Sequence, residues 1–536
     1  ELMGFTDPLG KRYSVWLTDV EVIRDLWILF ANEKIHYAAH NAHFEMGFLK
    51  RQFGVTILGT VWDTEVFARV QNNNHLSYGL QACAERIGET KHKPMEAFLA
   101  KRGNKGAHLK APHDILIPYV EQDAWLSWRL ANLQKETFRS WALSTKIDPL
   151  QVVRLEIDAT RNLFDMTSRG LLVDVEYCKR ARQHEQEEIE RAKREFESLT
   201  GQVFVDSRKT LQPIFDGAGL QYGKTEIGNA SFTEEALGAS KESPIVASIL
   251  RHRHALKRMS SYWDNFLDLQ RDGMIHPTIN QNRAVTSRMS IQDPSCQNWP
   301  TDEDADEGEY PVRRAFLARP GCLIVSLDYM AMELRLMSDE AEDKHMIDAI
   351  KNGRDLHQEV ADMAGVKRSL AKNGRFARQY GGGIDRVALT LGVNRSVAES
   401  ICKALAKQAP RNDAYSKELI AFAQTHGVGY DFLGRRFFFD RGFEYKMPNY
   451  RIQGGCAEIL KMAIREIAEI KFNNKLSGMI LPIHDEIVLN LHESDLGFIP
   501  QIKRIMETVY RPKHLPLEVS VSIGPNMHDL ETLKNA

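Results

Sequence analysis

The stretch GCLIVSLDYMAMELRLMS, residues 321–338, decides the fold. Its first half is a short apolar run, Leu323 to Leu327, that ends at Asp328, and a helical pattern follows. A second stretch, MILPIHDEIVLNL at 479–491, sets two apolar arms around His484, Asp485 and Glu486, as a tight hairpin does. Short apolar runs bounded by polar turns read as buried strands. An acid at such a strand end is costly to bury unless a cation pairs with it. Two acids converging from separate strands suit Mg²⁺, which keeps waters and substrate phosphates as its remaining ligands. Two such ions about 3.5–4 Å apart activate an attacking oxygen and stabilise a leaving one. Taken singly, each Asp is more often a turn residue or a helix cap. The segment between them favours the metal reading.

That segment is KRSLAKNGRFARQYGGG, residues 367–383. Arg368, Lys372, Phe376 and Tyr380 recur every four residues, which in a helix sets them along one slowly drifting stripe that Gly381 to Gly383 ends. Two cations followed by two aromatics suit a ligand with a polyphosphate at one end and a flat base at the other. A solvated basic face with two core aromatics is the plainer alternative for such a helix in isolation.

With these residues in view, the chain closely resembles the family A DNA polymerases, which include bacterial polymerase I and many phage replicases. Motif A, commonly DYSQIELR, reads here as Asp328 through Arg335; motif B, RxxxKxxxFxxxYG, fits Arg368, Lys372, Phe376, Tyr380 and Gly381; motif C is His484-Asp485-Glu486. The upstream block TGRxSxxxPxxQNxP is met by Thr286 to Ser290, Pro294, Gln297, Asn298 and Pro300. NxxxQGxxAD is met by Asn449, Gln453, Gly454, Ala457 and Glu458. The five blocks keep the family's order. The resemblance implies an α/β multidomain chain: a right-hand polymerase fold behind an N-terminal RNase H-like exonuclease domain that lacks its first strand. Its expected divisions are 1–147 for the incomplete exonuclease-like domain, 148–275 for the thumb, 276–345 and 447–536 for the palm, and 346–446 for the fingers.

Composition agrees. At 536 residues with 43% hydrophobic content, the chain is long enough for three or four cores. A net charge of −2 is not that of a generic DNA coater, but residues 351–446 carry 17 Lys and Arg against 10 Asp and Glu, a local surplus suited to phosphates. Asp302 to Glu309 forms an acidic loop. Six cysteines without close pairs point to a reducing compartment, free and mostly buried thiols, and no zinc site. No run approaches the roughly 20 apolar residues of a membrane span, and no signal peptide is visible. A cytoplasmic protein, or one of the host cytoplasm if viral, is expected, acting as a monomer without membrane contact.

The N-terminal region alternates strand-like IHYAAHN and VWDTEVFARV with helical patterns at 19–32 and 43–53. Beyond Asp148 come long charged helices, 152–170 and 179–201, whose one-sided polarity predicts an exposed antiparallel pair. The thumb lacks the long insertion by which some phage relatives bind a host processivity factor, so that partner is not implied. AHNAHFEMGFL resembles the second exonuclease motif through Asn41 and Glu45, and YVEQD the third through Tyr119 and Asp123, one helical turn apart. Asp63-Thr64 matches a more structural dipeptide of the family. The first motif, a strand carrying Asp-x-Glu, would precede ELMGFTDPLGKRYSVWL; truncation is the expected reason for its absence, and neither Asp7 nor Asp19 is expected to replace it.

The resemblance implies template-directed addition of deoxynucleotides to a primer 3′ end, with primer–template DNA and dNTPs as partners and two Mg²⁺ ions, for which Mn²⁺ can substitute. Asp328 and Asp485 would hold both metals, with Glu486 supporting. Arg368, Lys372 and His357, in GRDLH, would hold the β- and γ-phosphates, Lys372 also protonating pyrophosphate. Phe376 and Tyr380 would shape the sugar and base pocket, and Glu333 would fill the space of a 2′-hydroxyl. Arg288, Gln453, Asn449, His484, Gln297 and Asn298 would contact DNA, Arg288, Gln453 and Asn449 through minor-groove acceptors that vary little among base pairs. Met330-Ala331-Met332 and Met527 depart from the family pattern without removing a core catalytic group. The alternatives are a single-subunit RNA polymerase, which is not expected to carry the Glu333 gate, and an inactive DNA-binding relative, which would most simply have lost Asp328, Asp485 or Lys372.

Overall fold

The apolar run ending at Asp328 is a strand. In the computed structural model, which describes residues 2–534 except 19, 102, 145–147, 226, 301–308, 380 and 381, Cys322–Tyr329 is the middle of a five-stranded sheet. Glu486–His492 and Val519–Gly524 flank it, and Gly478–Ile483 and Glu531–Thr532 are the edges, all antiparallel. Asp19, Tyr380, Gly381 and most of the acidic loop lie outside the described residues. Strand alternation sends Val325, Leu327 and Tyr329 to one face, where the Tyr329 hydroxyl donates to the Met506 carbonyl (2.7 Å) in helix Ile499–Thr508. Ile324, Ser326 and Asp328 share the other face.

Helix Met447–Ala468 is buried along most of its length and joins the same core through Ile452, Cys456, Ile459, Leu460, Ala463 and Ile464. Gly454 and Gly455 let the hairpin of Val428–Tyr430 and Arg436–Phe438 come close: a Cβ on Gly454 would lie 2.7 Å from the Phe437 ring. Helices Lys344–Lys351, Leu356–Ala364, Arg368–Gln379, Ile384–Leu391, Arg395–Gln408 and Pro410–His426 form a helical unit with its own small core around Val360, Ala371 and Ile401.

The expected exposed pair of helices is not formed as read. Leu150–Arg169 is buried against Met447–Ala468, because its apolar residues (Val152, Val153, Leu155, Ala159, Leu163, Phe164, Met166) occupy more than one stripe. Val175–Thr200, with a single stripe, runs instead along Pro244–Arg258. Phe196, Phe204, Phe215, Phe232 and Ile249 form a separate core at the far end of that pair.

The N-terminal region contains an antiparallel pair, Leu2–Thr6 with Arg12–Trp16, and a parallel pair, Tyr37–Ala39 with Val61–Asp63. Helices Val20–Phe30, Ala42–Phe53, Thr64–Gln71 and His113–Ser144 surround them. VWDTEVFARV, expected as a strand, turns helical after Asp63. Its β-branched residues suggested extension, but the Asp63 carboxylate caps Glu65 N (2.9 Å), and capping outweighs the weak propensity. All six cysteines are free, five of them buried. Among the described residues no helix is long and apolar enough to cross a membrane.

Candidate active site

Asp328 sits one residue from the end of the central strand and pairs in register with Glu486, while Tyr329 N donates to the Asp485 carbonyl (3.2 Å). Asp485 lies in a two-residue turn between paired Ile483 and Glu486, which His484 opens at φ 55. Three carboxylates therefore lie near one another where these strands end. Burial, then the charges of Glu486 and Asp485, push the Asp328 carboxyl up to about 7. Burial also raises Asp485 and Glu486, against Arg288 at the former and the Ser326 hydroxyl at the latter. Ser326 thus occupies Glu486 and leaves Asp328 and Asp485 as the acids that most need a cation.

Arg288 partly supplies one. Its guanidinium donates to Glu333 and lies 3.7 Å from an Asp485 oxygen. Glu333 reaches it from the first turn of helix Met332–Glu340, which leaves the Asp328 strand through Ala331 at φ 49. Arg335, on the same helix, is committed to packing: it bonds Met330 O, Pro516 O and Glu518. Among the described residues no three acids, histidines or cysteines are grouped so as to cage a metal. A two-carboxylate donor set fits a hard ion that completes its sphere with waters and phosphates, and the raised acids favour such an ion.

Helix Arg368–Gln379 carries Arg368, Lys372 and Phe376 as the spacing predicts; Tyr380 follows it outside the described residues. His357, at the start of Leu356–Ala364, faces this helix, 6.4 Å ring to ring from Phe376. Burial, then Arg375, Arg368 and Lys372, hold the His357 imidazole below its usual range, and its Nδ1 has no partner among the described residues. Arg368 pairs with Asp355 (2.7 Å), whose carboxyl is held down to about 2 by that bond and by capping Gln358 N. Arg375, which the motif leaves unassigned, is buried and donates to Leu356 O (3.2 Å) and to Gln408. It braces two helices rather than meeting solvent.

Of the residues expected at DNA, His484 Nε2 lies 3.0 Å from Gln297 O, which ties the Asp485 turn to the 296–298 segment. The Gln297 amide is taken by Met289 O (3.2 Å) and Ile291 N (3.3 Å), and Asn298 by Ser295 (2.9 Å). Gln453 is buried on helix Met447–Ala468, and Asn449 Oδ1 there is buried without a partner among the described residues.

In the N-terminal region Asn41 turns the chain into helix Ala42–Phe53 at φ 64, its N–H held by Asp63 (3.0 Å). Glu45 on that helix is pushed up to about 8 by burial and then by Asp63. Tyr119 and Asp123 share one face of His113–Ser144; burial, then the Asp123 charge, raises the Tyr119 phenol. Asp123 is met by Lys91 at 2.7 Å. Asp7 caps a turn through Leu9 N and Lys11 N (both 2.9 Å). Sequence reading missed Lys91, Asp355, Ser326 and the Arg288 bridge. Only Asp355 left a local signal, as an Asp directly before a helical pattern.

The architecture is that of a right-hand polymerase. The structure matches the "POL domain of Pol1 from M. smegmatis complex with DNA primer-template and dNTP" with a TM-score of 0.80, covering 97% of this chain and 92% of that one, and at 23% identity this likeness is one of fold. The model of DNA polymerase family A matches residues 175–529, and the chain belongs to that family. It is 29% identical to the DNA polymerase I of Chloroflexus aurantiacus over 98% of this chain and 58% of that protein. It is 30% identical to the thermostable DNA polymerase I of Thermus aquaticus (73% and 49% covered) and 28% identical to the DNA polymerase of Mycobacterium phage L5 (91% and 83% covered). The chain thus spans about half the length of the first two.

Proposed function

We propose that the chain is a template-directed DNA polymerase that extends a primer 3′ end with deoxynucleotides, acting as a monomer in the cytoplasm. The observation that carries this is the convergence of Asp328 and Asp485 at the end of the central strands in a family A chain. The palm is assigned to 276–345 and 447–536, the fingers to 346–446, the thumb to 148–275 and the exonuclease-like domain to 1–147. Asp328 and Asp485 would hold two Mg²⁺ ions, which when bound activate the primer 3′-oxygen and offset charge on the leaving pyrophosphate. The chain's own residues do the rest. Lys372, Arg368 and His357 hold the β- and γ-phosphates, with Arg368 leaving Asp355 to do so, and Lys372 donates a proton to the departing pyrophosphate. Phe376 and Tyr380 bound the sugar and base, Glu333 excludes a 2′-hydroxyl, and Arg288, Asn449, Gln453 and His484 hold the primer–template, with Gln297 and Asn298 shaping the backbone beside His484. A primer-extension assay with dNTPs or rNTPs, in Mg²⁺ or in EDTA, tests the reading. Extension with rNTPs alone, or none with either, would overturn it.

Sugar selection gives a sharper test. Glu333→Ala opens space beside Arg288 and is expected to raise relative rNTP use by on the order of 10–10²-fold, the scale for admitting one added group to a pocket. Phe376→Tyr supplies a hydroxyl where a dideoxynucleotide lacks one and is expected to raise ddNTP use. kcat/KM ratios for dNTP, rNTP and ddNTP read both effects, and unchanged ratios would remove these side chains from the sugar pocket.

The N-terminal site is expected not to hydrolyse DNA. Lys91 already pairs with Asp123 at 2.7 Å, so Glu45 and Asp123 do not offer a cation two free carboxylates as Asp328 and Asp485 do. A 3′-labelled single strand with Mg²⁺ and no dNTP should stay intact. Mononucleotide release that Asp123→Ala abolishes and Asp485→Asn spares would contradict this.

A further inference from the structure

Arg288 rises from the loop that joins strands Thr278–Asn280 and Ser290–Gln292. Gln281, Asn282, Thr286 and Ser287 in this loop are buried, although Val285 at its tip is half exposed. The loop has little apolar support on its N-terminal-domain side, where a polar cavity of about 430 Å³ runs between residues 65–79 and 282–287. On that side hydrogen bonds across the seam hold it instead, while Gln281 ties the start of the loop to Glu156 and Thr160. Asn73, itself 8% exposed, donates from Nδ2 to Val285 O (3.3 Å) and accepts at Oδ1 from Phe438 N (2.7 Å). Asn282 Nδ2 donates to Val66 O (3.1 Å) in the N-terminal domain. On the palm side Lys461 Nζ approaches Ser287 O (3.5 Å), and Ser287 itself adopts φ 63. A loop under that backbone strain keeps its shape only while its surroundings fix it.

Resting on the polymerase reading above, we propose that the N-terminal domain is a working part of the synthetic site: Asn73 is a positioning residue that holds the loop presenting Arg288 to Glu333, Asp485 and the primer end. Asn73 joins three segments distant in sequence, namely its own loop, the Arg288 loop and the hairpin ending at Phe438, and so fixes the loop's height above the sheet. Arg288 lies three residues beyond the anchored Val285 carbonyl. Loss of the anchor lets the loop drift into the cavity and draws the guanidinium away from Glu333. The domain therefore supports synthesis through this seam whether or not it hydrolyses DNA.

A double-mutant cycle with Arg288→Ala tests this, because additivity fails only when two residues act through one another. Rates of single-nucleotide addition are measured at saturating DNA and dNTP and normalised to burst amplitude, so that a loss of folded enzyme does not enter. Asn73→Ala is expected to slow addition on the order of tenfold, below the roughly 10²-fold that a 1 Å misplacement costs. In the Arg288→Ala background the same change should have less than about a twofold effect. Asn282→Ala, which severs the bond to Val66 across the same seam, should show the same pattern and serves if Asn73→Ala folds poorly. An unchanged rate, or equal losses in both backgrounds, overturns the proposal. If the parent chain extends primers but Arg288→Ala is silent, the proposal falls while the function stands; if the parent does not extend primers, the function reading has failed.

Discussion

Asp328→Asn and Asp485→Asn are each expected to lower nucleotide addition by on the order of 10²–10³-fold, the scale for losing one preorganised electrostatic stabiliser. DNA binding should largely persist, since most phosphate contacts of such a protein lie away from its reacting centre. Asp328 also sets a pH dependence. Its carboxyl is pushed up to about 7, well above its value in an unfolded chain. Between about pH 4 and 7 the folded protein therefore holds a proton that the unfolded chain has released, so metal-free stability from this group falls as pH rises through that window. A divalent ion must displace that proton, so its apparent affinity should weaken about tenfold per pH unit below about 7. Titration calorimetry with Mg²⁺ at pH 6, 7 and 8, together with Tm with and without the ion, reads both. Affinity flat with pH, or either Asn variant extending primers near the parent rate, would refute the assignment of these acids.

What the sequence disclosed here was the local part. Strand ends at Asp328 and the Asp485 turn follow from apolar runs and polar breaks, and the four-residue spacing sets Arg368, Lys372 and Phe376 on one helix. Contacts between distant segments were not legible. Arg288 meets Glu333 and Asp485 only because a loop anchored by residues more than 100 positions away carries it there. The charges of helix 152–170 predict a solvated face, yet Glu156 is fully buried. An acid beside Leu155, in line with Ala159, Thr160 and Leu163, is the available sign of a partner in a distant segment. TEVFARVQ misled for the opposite reason: β-branched residues there are overridden by the Asp63 cap.

That buried acid belongs to a cluster whose disruption should cost the fold most. Glu156 accepts from Lys461 Nζ (2.6 Å), from Arg435 and from Gln281, while Arg435 also bonds Glu458. All four charged groups are essentially without solvent contact. Asp431 adds a third acid, which burial and then Glu458 push up to about 7. With Asp431 protonated, two acids face two cations and the charges balance. Despite burial, Lys461 and Arg435 hold Glu156 below the usual carboxylate range, and the surrounding acids raise Arg435. Arg435→Leu would leave Glu156, Glu458 and Asp431 with Lys461 alone, inside a core that ties helix Leu150–Arg169 to helix Met447–Ala468. Removing one partner of a buried ion pair costs about 3–5 kcal/mol, because the remaining charge stays desolvated. Against a typical total of about 5–15 kcal/mol, that brings the core around these two helices close to unfolding. In the variant the acids gain protons more readily than in an unfolded chain, so the deficit should be larger at pH 8 than at pH 5. Urea denaturation at both pH values measures it. A loss below about 1 kcal/mol at pH 8, the scale of a surface ion pair, would mean that water or local rearrangement compensates the acids and that the cluster does not hold the two helices together.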